Sequence, residues 1–172
     1  MSNSSSPQTS RPAPIDRLPR PMRRLFGWAL HLYFRLSRGL TLGVRAAVLN
    51  DAGEIFLVRH TYTPGWHLPG GGVEPGETVA AAIGKELREE ANIEIIGPAV
   101  LHGLFLSGES SRRDHVAVFI IRDFTRSAPK VPDFEIAEAG FFALSALPEG
   151  TTPGTRRRLA EITAGAPVDE RW

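Results

Sequence analysis

No cysteine occurs in the 172 residues. Disulfides, thiolate metal sites and a cysteine nucleophile are therefore excluded, although the absence says nothing about compartment. No apolar run reaches the ~20 residues that a membrane-spanning helix needs. No internal repeat is visible. The chain does not open like a secretory leader, since ~20 polar residues precede its first apolar run and no small-residue cleavage pattern follows. What remains is ordinary for one soluble domain with a real core: 42% hydrophobic and 23% charged residues, within the usual range of globular chains.

The net charge of +1 conceals an asymmetry. Residues 1–38 hold seven arginines against one aspartate, whereas the remainder holds 13 basic and 18 acidic residues. A mildly acidic body offers no broad basic surface for long nucleic acid, so none is expected as a partner. Residues 1–20 are rich in Ser and Pro and predict a disordered polar tail. Residues 21–38 predict an amphipathic helix, with an apolar run from Leu25 to Phe34 and arginine at both ends. Such a run needs cover in water. Three covers stay open: the domain itself or a second copy in a homodimer, peripheral membrane contact through residues 22–38, or another partner segment.

From Leu40 onward, short strands alternate with a few helices. Residues 40–50 and 54–60 read as strands joined by the turn signal Asp51-Ala52-Gly53. Residues 99–107, 115–124 and 135–144 read as further strands. Thr78–Ala91 reads as a helix, and a closing helix starts near Pro153. These elements place a domain over residues 40–165, a C-terminal tail over 166–172, and an α/β fold with helices on a mixed sheet.

The helix carries three carboxylates, Glu86, Glu89 and Glu90, within five residues. With Glu86 at zero, Glu89 lies at about −60° and Glu90 at about +40°, beside Val79, Ile83 and Leu87 at about +20° to +100°. The acids therefore flank the apolar stripe, whereas a solvated charged face would point away from it. Carboxylates gathered at a buried edge repel unless a cation offsets them, and hard divalent ions take such oxygen ligands. A solvated acidic face is the plainer alternative. The preceding loop supplies Gly70, Gly71, Gly72 and Gly76, and glycines let backbone groups approach a ligand closely.

Together these features resemble the Nudix box. Gly71, five residues, Glu77, seven residues and then Lys85-Glu86-Leu87-Arg88-Glu89-Glu90-Ala91-Asn92-Ile93 reproduce the family spacing of the glycine and four glutamates. Aliphatic residues stand in both expected places. Two positions depart. Lys85 replaces an arginine that braces the family's box, keeping the charge but losing the planar fork. Asn92 replaces a glycine at the helix end, where asparagine tolerates the left-handed conformation.

The resemblance implies an α/β/α sandwich around a mixed β-sheet. It implies a MutT-like hydrolase of a nucleoside diphosphate linked to another moiety, using Mg²⁺ with Mn²⁺ as alternative. Glu86, Glu89 and Glu90 become the candidate catalytic and metal-ligating acids, with the Gly70 carbonyl, while Glu77 and Lys85 become the structural pair. A further acid before a late strand is common in the family, and Glu135 is the candidate, followed by Glu138 and Phe141 at the family spacing. Glu109 and Asp114 are the runners-up. Arg59, Gly71, Trp66 and Arg112 are the candidate substrate contacts for a small nucleotide-type diphosphate, with Tyr62 and Arg113 secondary. His60, His67, His102 and His115 show no metal spacing and read as structural. A cytoplasmic location is expected. Markers for ADP-ribose, dinucleoside polyphosphate or coenzyme A substrates are not evident. An ADP-ribose or nucleotide-sugar pyrophosphatase and a non-catalytic nucleotide-binding regulator are the alternatives.

Overall fold

The computed structural model describes residues 19–108 and 112–172. The tail expected over residues 1–20 lies almost wholly outside them, as does Glu109. The chain divides into two units at Gly39. The first contains α1 (Arg20–Ser37), which begins after Pro19 with a further proline in its first turn. Its C-terminal end is closed by the Arg38 amide donating to Phe34 O, and the Arg38 guanidinium lies 4.4 Å from the Phe34 ring centroid. Among the described residues, no helix is long and apolar enough to cross a membrane.

The second unit, Leu40–Trp172, holds the remaining elements. These are β1 (Thr41–Val48), β2 (Ile55–His60), α2 (Val79–Ala91), β3 (Ile93–Ile95), β4 (Val100–Ser107), β5 (Asp114–Ile121), β6 (Phe124–Arg126), β7 (Ile136–Phe142) and α3 (Pro153–Ala164). Strand β5 is central to a mixed sheet, parallel to β1 and antiparallel to β4. Strands β2 and β7 form an antiparallel pair, and β3 pairs with β6.

Period-two alternation divides the core into two layers. Val44, Ala46 and Val48 of β1, with Phe56 and Val58 of β2, pack on Ala82, Ile83 and Leu87 of α2. Ala47 and the following Leu49, with Ile55 and Leu57, pack with Leu159 and Ile162 of α3. Strands buried on both faces between two helices make the α/β/α sandwich.

Residues 115–124 do not form one strand. The carbonyl of Asp123 accepts from the amides of Ile96 and Gly97, and the Asp123 side chain lies where a Cβ on Gly97 would stand. The chain turns there, and β6 continues against β3. Residues 166–172, expected as a C-terminal tail, return to β4. The Leu106 amide donates to Glu170 O at 2.9 Å and the Trp172 amide to Leu106 O at 3.0 Å. Beneath Trp172, the fully buried Arg158 lies 3.8 Å from the Phe105 ring centroid and donates to Glu161 at 2.5 Å. Glu161 also meets His102 Nε2 at 2.9 Å.

Candidate active site

The box loop is laced along the edge of β1. The Val44 amide donates to Gly71 O at 2.8 Å, Ala46 to Pro69 O at 2.9 Å, and Val73 to Leu42 O at 2.8 Å. Only glycine fits this path at Gly70, where φ is +140° and a Cβ would stand 2.1 Å from Val44 O. Helix α2 then starts with Thr78 Oγ1 accepting from the Ala81 amide at 3.1 Å. It ends with Asn92 at φ 56°, ψ 35°, the left-handed cap that its replacement of glycine requires.

Loop and helix meet through the acids. The Gly70 amide donates to Glu90 Oε2 at 2.7 Å. A Cβ on Gly71 would lie 2.6–2.8 Å from three atoms of the Glu86 carboxylate, so the absence of a side chain makes room for that acid. Lys85 Nζ lies 3.5 Å from Glu77 and 3.7 Å from Glu86, bridging both with one charge. Glu77 Oε2 also accepts from the Glu74 amide at 3.1 Å. Glu89 is exposed, and its backbone carbonyl accepts from Lys130 Nζ at 2.7 Å.

Long-range pairing brings in Glu135. A bulge between Arg59 and His60 shifts the register of β2 against β7; such bulges re-aim side chains. Beyond it, the Thr61 amide donates to Glu135 O at 2.9 Å. Asp133 Oδ1 accepts from the amides of Glu135 and Ile136 at 2.9 and 2.7 Å, and its other oxygen meets Lys130 Nζ at 2.6 Å. These bonds, the Ile136 amide first, hold Asp133 down to about 2. Glu135 Oε1 accepts from the Tyr62 hydroxyl at 3.3 Å.

His60, Glu90 and Glu135 thereby each bring a ligand atom to within 4.8 Å of the other two. Glu86 and Glu89 are not in that group. Glu90 is 3% exposed, and burial pushes its carboxyl up to about 7 despite the opposing Gly70 amide and Arg45. Burial also raises Glu86, joined by Glu89 and Glu135 against the opposing Lys85. Burial, then Arg45 and His67, lower His60. Burial disfavours the ionised form of these carboxyls, a cost that a bound cation would offset, and the oxygen-rich set fits a divalent ion.

Sequence reading missed Arg45 and assigned His60 a structural role. Arg45 Nη1 donates to Gly70 O at 2.6 Å and Leu68 O at 3.0 Å. It occupies one of the two acceptor positions of the carbonyl expected to hold metal. A lone arginine inside the apolar strand "LTLGVRAAV" was the available signal.

The expected substrate contacts are dispersed. Arg59 pairs with Glu138 at 2.7 Å and lines a cavity of about 410 Å³ formed by residues 59–65. Trp66 is buried against Phe142, with ring centroids 4.8 Å apart. Arg112 is exposed in the loop between β4 and β5. Gly71 lines a second cavity of about 440 Å³ with Thr41, Gly43, Arg45, Asp114 and His115.

Residues 39–162 match the NUDIX domain model. The chain belongs to the Nudix family. Over 135 residues it is 30% identical to a Mus musculus protein named 8-oxo-dGDP phosphatase NUDT18, covering 76% of this chain and 41% of that one. It is 39% identical over 58 residues to an RNA pyrophosphohydrolase of Coxiella burnetii, covering 33% of this chain and 25% of that one. Among solved structures, it resembles a MutT NUDIX hydrolase from Burkholderia pseudomallei with TM-score 0.62 and 29% identity, over 72% of this chain and 98% of that one. The chain thus spans about two fifths of the mouse relative's length.

Proposed function

We propose that this chain hydrolyses a pyrophosphate bond in a small nucleotide-type diphosphate, using a divalent cation. Its holders would be Glu86, Glu89, Glu90, Glu135 and the Gly70 carbonyl, with Mg²⁺ or Mn²⁺ as the ion. The carrying observation is the buried, charge-deficient gathering around Glu90, tied to the glycine loop by the Gly70 amide. A divalent cation supplies Lewis acidity toward pyrophosphate oxygens and makes water a competent nucleophile near neutral pH.

The chain's own residues hold and orient the acids. Lys85 steadies Glu86, Tyr62 orients Glu135, and Arg45 fixes the loop carbonyls. A carboxylate beside the attacking water can take its proton, the role we assign to Glu86, whereas Glu90, held by the Gly70 amide through one oxygen, serves as a ligand. The cavity beside Gly71 has the volume of a small-ligand site. We place Gly71 and Arg59 at the phosphate end. For Arg112 we keep the role of an outer phosphate contact.

The mouse relative is named for 8-oxo-dGDP, which supports nucleoside diphosphates as first candidates. Likeness to the RNA enzyme covers only a third of this chain, and the acidic body disfavours long nucleic acid. A panel of nucleotides, nucleotide sugars and ADP-ribose incubated with Mg²⁺ tests the reading. Release of phosphate, pyrophosphate or nucleoside monophosphate from one class supports it and names the substrate. Tight nucleotide binding with no product would assign a non-catalytic regulator instead.

A further inference from the structure

His60 lies outside the box, yet its side chain enters the acid cluster. It is 7% exposed, its Nε2 faces Glu90 Oε1 at 3.6 Å, and its buried Nδ1 has no hydrogen-bond partner. Most buried ring nitrogens are hydrogen-bonded, although His115 Nδ1 is also without a partner, so the weight falls on where Nε2 points. Here one nitrogen is orphaned, and the other sits beyond hydrogen-bond length from a carboxylate.

We propose that His60 is a nitrogen ligand of the cation site formed with Glu90 and Glu135, and that it biases this site toward transition-metal dications such as Mn²⁺ over Mg²⁺. Donors bonded octahedrally to one ion at about 2.1 Å lie about 3 Å apart when adjacent and about 4.2 Å when opposite. The 3.6 Å between Nε2 and Oε1 lies between these two spacings, and a ligand atom of Glu135 lies within 4.8 Å of both residues. Glu90 keeps Oε1 for the ion because Oε2 is held by the Gly70 amide. The register of β2 against β7 shifts between Arg59 and His60, where the ring enters the cluster. Hard Mg²⁺ takes oxygen ligands, whereas imidazole favours transition metals. The inference rests on the proposed function only in that both place a cation at Glu90.

The test is pulsed electron paramagnetic resonance of Mn²⁺ on the full chain, with calorimetric titration of Mn²⁺ and Mg²⁺. The expected spectrum shows coupling to a directly bound nitrogen, lost in His60→Gln and kept in His67→Gln. Mn²⁺ affinity in His60→Gln falls at least ~10-fold, and Mg²⁺ affinity falls less. Bound Mn²⁺ without nitrogen coupling, or coupling that survives in His60→Gln, would overturn the inference while leaving the cation reading intact. Failure of Mn²⁺ to bind, or binding unaffected by Glu90→Gln, would overturn both. Should His60→Gln not fold, ¹⁵N-histidine labelling of the native chain still decides whether a histidine nitrogen is bound, and His60→Asn replaces the variant.

Discussion

The Gly70 amide donates to Glu90 Oε2 across 2.7 Å, and this bond ties the glycine loop of the box to its helix. It orients a carboxylate that burial would otherwise leave unpaired, and it depends on a backbone path open only to glycine. The two neighbouring glycines therefore separate fold from chemistry.

Gly70→Ala would force a Cβ to 2.1 Å from the Val44 carbonyl at a φ of +140°. It should lower stability by at least ~2 kcal/mol, visible as a lower thermal midpoint. Gly71→Ala meets only the far end of Glu86, a flexible side chain that can swing aside. The thermal midpoint should barely change, while turnover falls at least ~10-fold because the acid is displaced. Equal stability losses in both variants would contradict this division.

Glu86→Gln and Glu90→Gln should each reduce turnover by at least ~10²-fold, the scale of lost general-base assistance at Glu86, with loss of a ligand at Glu90. Each also removes a charge from a repelling cluster, and glutamine at 90 retains an acceptor for the Gly70 amide. Metal-free thermal melts should therefore show equal or slightly higher stability. A large loss would assign these acids a structural role.

The pH dependence of the metal-free protein follows from two opposed groups. Glu90 is raised from 4.5 to about 7, so the folded state holds its proton more tightly. That contribution is complete below the unfolded value and is lost as pH rises through about 7; it amounts to about 3 kcal/mol. His60 is lowered from 6.5, so its contribution is complete above 6.5 and lost as pH falls through its folded value. Melts in chelator should thus show stability rising as pH drops from about 8 toward 6.5 and levelling or reversing below. Saturating Mn²⁺ should reverse the upper limb, because the cation binds the ionised acid. A flat profile across this range would contradict the burial of Glu90.

The box was legible because its parts are close in sequence. Glycine spacing, the helix start near Thr78 and the helical positions of Glu86 and Glu90 depend on local geometry, and Asn92 could be read as a left-handed cap for the same reason. Glu135 was legible only through its spacing to Glu138 and Phe141. Its position beside Glu90 comes from the pairing of β7 with β2 and from the turn held by Asp133. His60 and Arg45 were not legible as site residues. The first sits at the register shift of β2 against β7, and the second reaches the loop from a strand that reads as ordinary core. Trp66 illustrates the reverse: its loop position left it open to a ligand on sequence, but the chain folds it against Phe142. Trp172, read as part of a tail, packs in the core by long-range pairing that no local pattern encodes.

Deleting residues 1–38 should leave turnover within a few-fold per folded molecule, since the cluster is built entirely from Leu40–Trp172. Oligomeric state, solubility or liposome binding should change, because the apolar run of residues 25–34 needs cover. A homodimer in the full chain would show in light scattering and would be lost in the truncated protein. Membrane binding would weaken with added salt, given the seven arginines. An unchanged result in all three would deny the segment such a role, and complete loss of turnover would extend the active site into it.

Metal dependence of hydrolysis tests the central claim most directly. Chelator-treated full chain, incubated with the best nucleotide of the panel, should release no phosphate, pyrophosphate or nucleoside monophosphate. Stepwise addition of Mg²⁺ or Mn²⁺ should restore release in a saturable manner, and Glu90→Gln should require more of either ion. Full turnover in the chelated protein, with no response to added cation, would contradict the account.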